Sequence, residues 1–245
     1  MVRALFKSWF VDFEKVKMHG LVPLPLGWRH GVLEEIQADQ ANAITAGPFG
    51  SKLVSRDYVE SGIPVIRGCN LGGQPGEWFA EDSFVYVSAE KVQRDLASCV
   101  ARPGDVLFTQ RGTLGQVGMI PFDATHERYV VSQSQMKMTC APHVPPEFVI
   151  LTFKRPETLA YIEANGVASG VPHINLGFLR KFPIVIPPPS ILKEFGEVVR
   201  PLQLLMRKNV VENRLLTTTK DLLLPRLLSG ELRVHDAERF VEASV

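Results

Sequence analysis

The sequence lacks most of the features that mark secreted, metal-binding and membrane proteins. Only three cysteines occur among its 245 residues, Cys69, Cys99 and Cys140, and no two of them form a Cys-x-x-Cys pair. This spacing argues against a disulfide framework or a zinc site and is typical of buried or half-buried free thiols. No apolar run reaches the roughly 18 residues of a membrane span, and Lys7 and Asp12 interrupt the apolar N-terminal segment. We therefore expect a cytoplasmic protein that has no membrane partner.

The chain also has almost no excess of positive over negative side chains. The 27 basic and 26 acidic side chains leave a formal net charge of +1, and residues 27–185 hold 14 basic and 16 acidic groups. A balance of this kind does not indicate nucleic-acid binding by itself. If the middle of the chain contacts DNA, a local basic patch or a partner protein must neutralise the phosphates.

Motifs of the common catalytic classes are missing. Residues 112–118 read Gly-x-x-Gly-x-x-Gly and lack the Gly-x-Gly turn of a dinucleotide site, and in Gly47–Lys52 the lysine follows serine rather than glycine. Neither Val144–Glu147 nor Pro187–Pro189 supplies the Asn/Asp-Pro-Pro-aromatic turn that holds a flipped base in an amino-methyltransferase. The six histidines form no His-Glu-x-x-His motif. We expect no enzyme and no catalytic or metal-binding residue, although a Cys/His hydrolase assembled only in space remains open.

Apolar residues at helical spacing are present near both ends of the chain. The first set predicts a short amphipathic helix with an aromatic face, and comprises Leu5, Phe6, Trp9, Phe10 and Phe13. The second set runs from Ile191 to Leu223 and predicts a long helix after the proline run, with Ser190 as its N-cap and Pro201 as a kink. At about 1.5 Å per residue, residues 190–228 would span about 55–60 Å. Such a helix pairs with the N-terminal segment or with another chain, and packing back on its own domain is the alternative.

Residues 27–187 carry short β-like runs that are separated by turn signals. The predicted strands are Ile63–Ile66, Phe84–Val87, Val106–Thr109, Gln116–Ile120, Tyr129–Val131 and Phe182–Ile186. Helical runs are expected near Val59 or Glu90 and at Pro146–Asn165. We predict an α+β fold, with a twisted, partly barrel-like mixed β-sheet, a long coiled-coil-type C-terminal helix and a short N-terminal helix. The expected divisions are residues 1–26, 27–187 and 188–245.

A series of segments, taken in order, resembles the specificity subunit of type I restriction–modification enzymes. The segments are Gly47–Ser51, Tyr58, Gly62–Asn70, Arg102–Leu107, Arg111–Gly115, Val131–Gln133, Phe182–Pro188 and Leu224–Leu232. Each segment alone is a weak match to the family, but their order over residues 4–234 makes the set specific. The resemblance implies a non-catalytic DNA reader. In that family two target recognition domains, separated by paired helices, each read half of a split target.

The resemblance also implies partners. It implies double-stranded DNA, modification (methyltransferase) subunits that use S-adenosylmethionine, and a motor/nuclease restriction subunit, whereas this chain itself would hold no cofactor. One recognition domain, residues 27–187, and one complete long helix resemble a half subunit. Two copies would form a homodimer through that helix and read a palindromic split site. A fragment of a longer subunit remains open, as does a protein–protein scaffold of a DNA-modification complex without base readout.

Polar side chains in four turn-rich segments are the candidates for DNA contact. Arginine, asparagine and glutamine offer the paired donors and acceptors that distinguish bases, and loops after strands project such groups. The candidates are Ser51, Lys52, Arg67 and Asn70, then Gln110, Arg111, Thr113 and Gln116, then Ser132, Gln133, Ser134 and Gln135, and last Ser169 and His173, with Thr109 and Asn175 beside them. The alternative for each residue is a solvated or turn-stabilising role.

Overall fold

The computed structural model describes residues 1–12, 24–72, 76–113, 115–166 and 173–232. The chain consists of two compact units, Met1–Leu202 and Gln203–Val245. Strands and helices are both present in the first unit, so the predicted α+β class is confirmed. The expected functional divisions at residues 26 and 187 stay a prediction.

Short runs of β-branched and aromatic residues form the strands, as their propensity for a pleated, half-buried surface favours. In chain order, the strands of the described residues are β1 Arg29–Val32, β2 Ile44–Ala46, β3 Tyr58–Val59, β4 Ile63–Ile66, β5 Val85–Val87, β6 Val100–Ala101, β7 Val106–Thr109, β8 Val117–Met119, β9 Tyr129–Val131, β10 Gln135–Met138 and β11 Pro183–Ile186. Each of the six predicted runs contains a strand. Strands β4, β7, β8, β9 and β10 are buried along their whole length, because both faces of each are covered.

These strands form three sheets. The largest has the order β3-β5-β4-β9-β6, and β4 pairs with β9 in parallel while its other pairs are antiparallel. The second is antiparallel, with the order β2-β10-β7-β8, and β1 pairs with β11 in the third. The expected mixed, twisted sheets are therefore present, but within the described part of the chain they do not close into a barrel.

Along the described chain, α-helices lie between the strands and on both sides of them. They are α1 Val2–Phe10, α2 Ala89–Lys91, α3 Pro146–Phe153, α4 Pro156–Asn165, α5 Leu176–Arg180 and α6 Pro189–Leu228. The helical run expected near Glu90 is confirmed by α2, whereas the run considered near Val59 is strand β3. The single run expected at Pro146–Asn165 is two helices, because Pro156 lacks the N–H that would continue α3 and instead begins α4.

The aromatic face of α1 lies in the core of the first unit. Val2, Phe6, Trp9 and Phe10 are buried, and the Phe10 ring centroid lies 4.7 Å from that of Phe195 in α6. The same ring lies 5.0 Å from the ring of Phe148 in α3. Aromatic pairs of this kind contribute about 0.5–1.5 kcal/mol each beyond their buried area. Of the two partners expected for the long helix, the N-terminal helix therefore contacts its start. Phe13, the last member of the predicted stripe, lies outside the described residues.

Helix α6 has 40 residues and continues through Pro201. The prediction that Ser190 caps it is wrong, because the helix already begins at Pro189, a residue well suited to the first helical position. In the first unit, Leu192, Phe195 and Val199 of α6 are buried. No helix among the described residues is both long and apolar enough to cross a lipid bilayer.

The second unit carries the exposed end of the apolar stripe. Val211, Leu215, Leu216 and Leu222 each have 58–66% of their surface exposed to solvent. A row of large apolar side chains left in water is typical of a surface that contacts another protein.

Candidate nucleic-acid interface

The predicted polar segments meet in one place, here named the loop cluster, which comprises residues 47–53, 67–72, 110–113, 115–116, 132–135 and 173–175. The turn after β7 joins the turn before β10, because the N–H groups of Gln110 and Arg111 donate to the carbonyl of Ser134 at 2.7 and 3.3 Å. Arg111 also forms a β-bridge with His173. The Ile174 N–H donates to the Gln110 carbonyl at 3.0 Å, which adds the fourth segment.

Side-chain amides connect the remaining loops. The Gln133 Nε2 group donates to the carbonyl of Gly50 at 2.7 Å and to that of Leu53 at 3.3 Å, and so holds the loop after β2. The Gln116 Nε2 group donates to the carbonyls of Gly68, at 3.1 Å, and Leu71. Segments up to 83 residues apart in the sequence are thereby joined to one another.

The predicted residues divide by exposure. Ser51, Lys52, Arg111, Thr113 and Gln133 are exposed, and Arg67, Gln116, Ser132, Ser134 and His173 are half-buried. Asn70, Gln110 and Gln135 are buried, as is the neighbouring Thr109. Ser169 lies outside the described residues. A role in DNA contact stays a prediction for all of them, but the buried side chains do not face solvent in this structure.

Asn70 is occupied by internal hydrogen bonds. Its Oδ1 accepts from the N–H of Arg67 at 2.9 Å, and its Nδ2 donates to the carbonyls of Ala80 at 3.1 Å and Asp82 at 2.8 Å. Arg67 itself donates from its guanidinium to the carbonyl of Ser83. Both side chains therefore hold the turn that follows β4 against residues 80–83.

Gln135 and its neighbours serve the same purpose at the start of β10. The Ser132 hydroxyl is hydrogen-bonded to Gln135 Oε1, and the Gln135 carbonyl accepts from the N–H of Gly47 at 2.9 Å. Thr109 donates its hydroxyl to Gln116 Oε1 at 3.2 Å. Within the described residues the buried Gln110 Oε1 has no hydrogen-bond partner. The buried polar groups thus hold the backbone of the loop cluster in place.

Asn175, beside His173, has a capping role. Its side chain caps α5 by accepting a hydrogen bond from the Phe178 N–H at 2.8 Å.

Glycine 47 allows the closest backbone approach in the loop cluster. A Cβ atom added to it would lie 1.8 Å from the carbonyl oxygen of Ser132, so no other residue fits there without a backbone shift. The structure therefore explains the first glycine of the Gly-Pro-Phe-Gly-Ser motif, because the loop that carries it packs directly on the turn before β10.

Phe49, in the same loop, was absent from the candidates chosen from sequence. Its surface is 68% exposed, next to Gly50, whose φ of +63° lies in the left-handed region that favours glycine. An exposed ring on a loop fixed by the Gln133 amide is a candidate for contact with a base or a thymine methyl group. Its position between glycines was the sequence signal that could have identified it.

The Arg-Pro-Gly-Asp motif supports the start of β7. Asp105 and Lys137 form a buried ion pair at 3.3 Å. The same carboxylate accepts from the Thr139 hydroxyl at 2.6 Å and the Arg102 N–H at 2.9 Å. A buried pair that is hydrogen-bonded on several sides satisfies its charges locally. The motif therefore serves the turn into β7.

The three cysteines and Glu147 are further titratable groups among the described residues of the first unit. Burial raises the pKa of the Cys140 thiol and that of Cys99, which makes both poor nucleophiles. Cys69 is exposed, so the expectation that all three thiols are buried or half-buried is wrong for it. Burial also raises the pKa of Glu147, whose Oε1 lies 3.5 Å from Arg200 Nε in α6. Among the described residues no three His, Cys, Asp or Glu side chains are placed to hold a metal ion.

Comparisons with known proteins agree with this picture. The family model "Type I restriction modification DNA specificity domain" matches residues 81–208. The type I restriction enzyme MjaIX specificity subunit of Methanocaldococcus jannaschii is 26% identical to this chain over an alignment of 245 residues. The alignment covers 95% of this chain and 52% of that subunit. The HindI specificity subunit of Haemophilus influenzae is 25% identical, with 85% of this chain and 42% of that subunit covered. The chain spans about half the length of these curated relatives.

Solved structures share the fold. The S subunit of a type I restriction–modification system from M. genitalium has a TM-score of 0.55 at 15% identity, covering 92% of this chain and 52% of that one. The HsdS subunit of Thermoanaerobacter tengcongensis has a TM-score of 0.53 at 18% identity, covering 84% and 43%. Because the family model covers more than half of the sequence, this chain belongs to the type I restriction–modification DNA specificity family.

Proposed function

We propose that this chain recognises one half of a split DNA target and that the loop cluster reads the base edges. The observation that carries the proposal is the convergence of four distant segments into one rigid surface, with Lys52, Arg111 and Thr113 exposed on it. Arginine pairs with guanine through two parallel hydrogen bonds, and a rigid support is what such directional contacts require.

Affinity for DNA would come partly from outside this chain. Lys52 and Arg111 supply local positive charge, but a net charge of +1 is small for a duplex binder. We therefore propose that modification subunits, which hold S-adenosylmethionine and carry out methylation, provide further phosphate contacts, and that a motor/nuclease restriction subunit joins the same complex. This chain itself would perform no catalysis. The near-neutral charge also favours the alternative, in which the chain is a protein–protein scaffold without base readout.

We further propose that two copies pair through the exposed stripe of the second unit, so that the assembly reads a palindromic split site. Val211, Leu215 and Leu222 supply the apolar surface for such pairing. A two-fold axis between identical readers requires a symmetric target.

Selection from a pool of random duplexes tests the proposal. Three samples are compared. They are the full chain alone, the full chain with modification subunits, and the modification subunits without the chain. We expect a split motif to be enriched only when this chain is present. Enrichment of the same motif by modification subunits alone, or of no motif in any arm, contradicts base readout and supports the scaffold.

The absence of catalysis is tested separately. The purified chain is incubated with S-adenosylmethionine and the selected duplex, and methyl transfer to adenine is measured. We expect transfer only after modification subunits are added, because this chain offers no base-flipping pocket motif. Transfer by the chain alone overturns its assignment as a non-catalytic subunit.

A further inference from the structure

A cationic pocket, whose lining shares no residue with the loop cluster, lies where α1 packs against the junction of α3 and α4. Its cavity has a volume of about 350 Å³, and its charged lining consists of Arg3, Lys7, Lys154, Arg155 and Glu157. This volume is at the lower end of the range for small-ligand sites. Four cations and one carboxylate therefore share one concave surface.

Two of these cations are neutralised locally. Arg155 Nε lies 3.3 Å from Glu157 Oε2, and Lys7 Nζ is paired with Asp12 at 2.5 Å. Arg3 and Lys154 have no carboxylate within ion-pair distance in the part of the chain that the structure describes. The pocket is thus left with about two positive charges, and like charges in one pocket repel each other.

Lys154 is the cation that gains most from an added negative group. Its ammonium lies 5.7 Å from the centre of the Trp78 ring, a weak substitute for a counter-ion. Burial, followed by the charge of Arg3, lowers the pKa of Lys154 to about 8. An anion in the pocket would relieve both effects, because it favours the charged form of the amine.

The start of α4 adds to the positive field. Arg155 is the N-cap residue of this ten-residue helix and makes no side-chain capping hydrogen bond. The first N–H groups of a helix lack internal partners, and the helix dipole is positive at that end. The pocket therefore combines cationic side chains with the positive end of the α4 helix dipole.

We propose that this pocket binds a phosphate group, held by Lys154 and Arg3 at the start of α4. The group could belong to a free phosphate or phosphate ester, or to the backbone of a bound duplex. The second source rests on the proposed function. It is supported by the contact of α4 with the loop cluster, since a Cβ added to Gly115 would lie 2.3 Å from Leu159 Cδ2.

Inorganic phosphate titrated into the full chain tests the site directly. Lysine amines labelled with ¹³C-methyl groups are followed by NMR, and the Lys154 signal is assigned with Lys154→Met. We expect phosphate to shift that signal and to raise the pKa of Lys154 towards its ordinary value. A Lys154 signal that does not respond to phosphate overturns the proposal.

Two variants and a matched control give an independent measurement by calorimetry. Lys154→Met keeps the apolar stem beside Trp78, and we expect it to weaken phosphate binding about tenfold, the effect of one lost charge-assisted contact. Arg3→Gln is expected to weaken it as well. Lys193→Met removes an exposed lysine that pairs with Glu197 on α6 and should leave phosphate binding unchanged. Circular dichroism checks that each variant is folded. Equal phosphate binding by wild type and a folded Lys154→Met contradicts the proposal. If Lys154→Met does not fold, the same comparison is made with Arg3→Gln.

A random-sequence duplex distinguishes the two sources. If the DNA backbone supplies the phosphate, Lys154→Met lowers duplex affinity and reduces the salt slope by about 1. If duplex binding is unchanged while phosphate binding is lost, the ligand is a free phosphate. Failure of the wild-type chain and its modification subunits to bind any duplex argues against the proposed function, whereas the phosphate titration still decides the pocket.

Discussion

At the scale of single residues, internal hydrogen bonds decide which polar groups remain available to DNA. Asn70 and Gln116 use their side-chain amides to hold the turn after β4, and Gln133 holds the loop after β2. Arg111 is exposed, and its backbone is fixed by Ser134 and His173. A backbone that is already held in place suits directional readout, because only the side chain then loses conformational entropy when it binds.

Arg111→Ala is expected to reduce discrimination between bases. Loss of a bidentate contact to guanine costs about 1–3 kcal/mol on the selected site and relaxes the preference at one position. The measurement is affinity for the selected and for a random duplex, with modification subunits present. Arg128→Ala is the matched control, because Arg128 is also exposed but precedes β9, whereas residues 132–135 of the loop cluster follow that strand. Equal weakening on both duplexes would make Arg111 a phosphate contact instead.

Asn70→Ala should lower stability rather than specificity. The substitution removes three hydrogen bonds, at about 1 kcal/mol each, so we expect a loss of about 3 kcal/mol in the free energy of unfolding. Urea denaturation measures it. Gln93→Ala, at an exposed position, should change the same quantity by less than about 0.5 kcal/mol. An unchanged unfolding free energy in Asn70→Ala would mean that these bonds contribute nothing.

Residue types indicated where the candidate site lies, but not what each residue does there. All four polar segments chosen from sequence have described residues in the loop cluster, because turns after neighbouring strands meet at one place. Sequence could not separate Asn70, which is buried, from Arg111, which is exposed, since both occupy glycine-bounded turns. Their difference depends on contacts with residues 80–82 and 134, which are remote or unpredictable in sequence. Phe49 was missed because polarity alone guided the choice.

At the scale of elements, close backbone contacts hold the loops in register. Gly47→Ala places a methyl group 1.8 Å from the Ser132 carbonyl oxygen, and we expect it to cost about 1–3 kcal/mol or more of stability. Gly68→Ala is the control, because its added Cβ would meet no atom closer than 3.5 Å. Thermal unfolding compares the two. Similar stabilities would show that the loop after β2 is not held against the turn before β10.

The junction of α3 and α4 should give stability a distinct pH dependence. The pKa of Lys154 falls from an ordinary 10.5 to about 8 in the folded chain. Between these values the unfolded chain binds more protons, so the unfolding free energy of wild type rises with pH. The charged groups facing Lys154 in its pocket are Arg3, Lys7, Arg155 and Glu157.

Urea denaturation in phosphate-free buffer from pH 7 to pH 10.5 measures this contribution. Stability of wild type relative to Lys154→Met should increase through the window from about 8 to 10.5. Lys193→Met should follow the pH dependence of wild type. Parallel curves for wild type and Lys154→Met would show that the pKa of Lys154 is the same in both states.

Periodicity identified the elements better than it identified their ends. Strand runs such as Val106–Thr109 and Tyr129–Val131 stand out because β-branched residues are bounded by turn residues. The division at Pro156 was not predicted, since an apolar helical pattern continues across it. The start of α6 was placed one residue late because Ser190 is a strong capping type, whereas Pro189 is already helical. Pairing of the strands into three sheets depends on long-range contacts that no local pattern contains.

At the scale of the whole molecule, the chain covers about half of its curated relatives, 52% and 42% of their lengths. If two copies replace one longer subunit, sedimentation at micromolar concentration should give twice the chain mass of 27.3 kDa. The double variant Leu215→Gln and Leu222→Gln should return the mass to that of one chain, because both side chains are exposed and seven residues apart on one face. A wild-type chain that stays monomeric would rule out pairing of the isolated protein.

The most direct test of base readout by the loop cluster is photocrosslinking. The selected duplex carries 5-iodouracil in place of thymine at each motif position, is bound by the chain with modification subunits, and is irradiated before peptide mapping. We predict crosslinks in residues 47–53, 110–113 or 132–135, and none at Arg128. Crosslinks confined to α6 or to the modification subunits would contradict the assignment of the loop cluster as the DNA-reading surface.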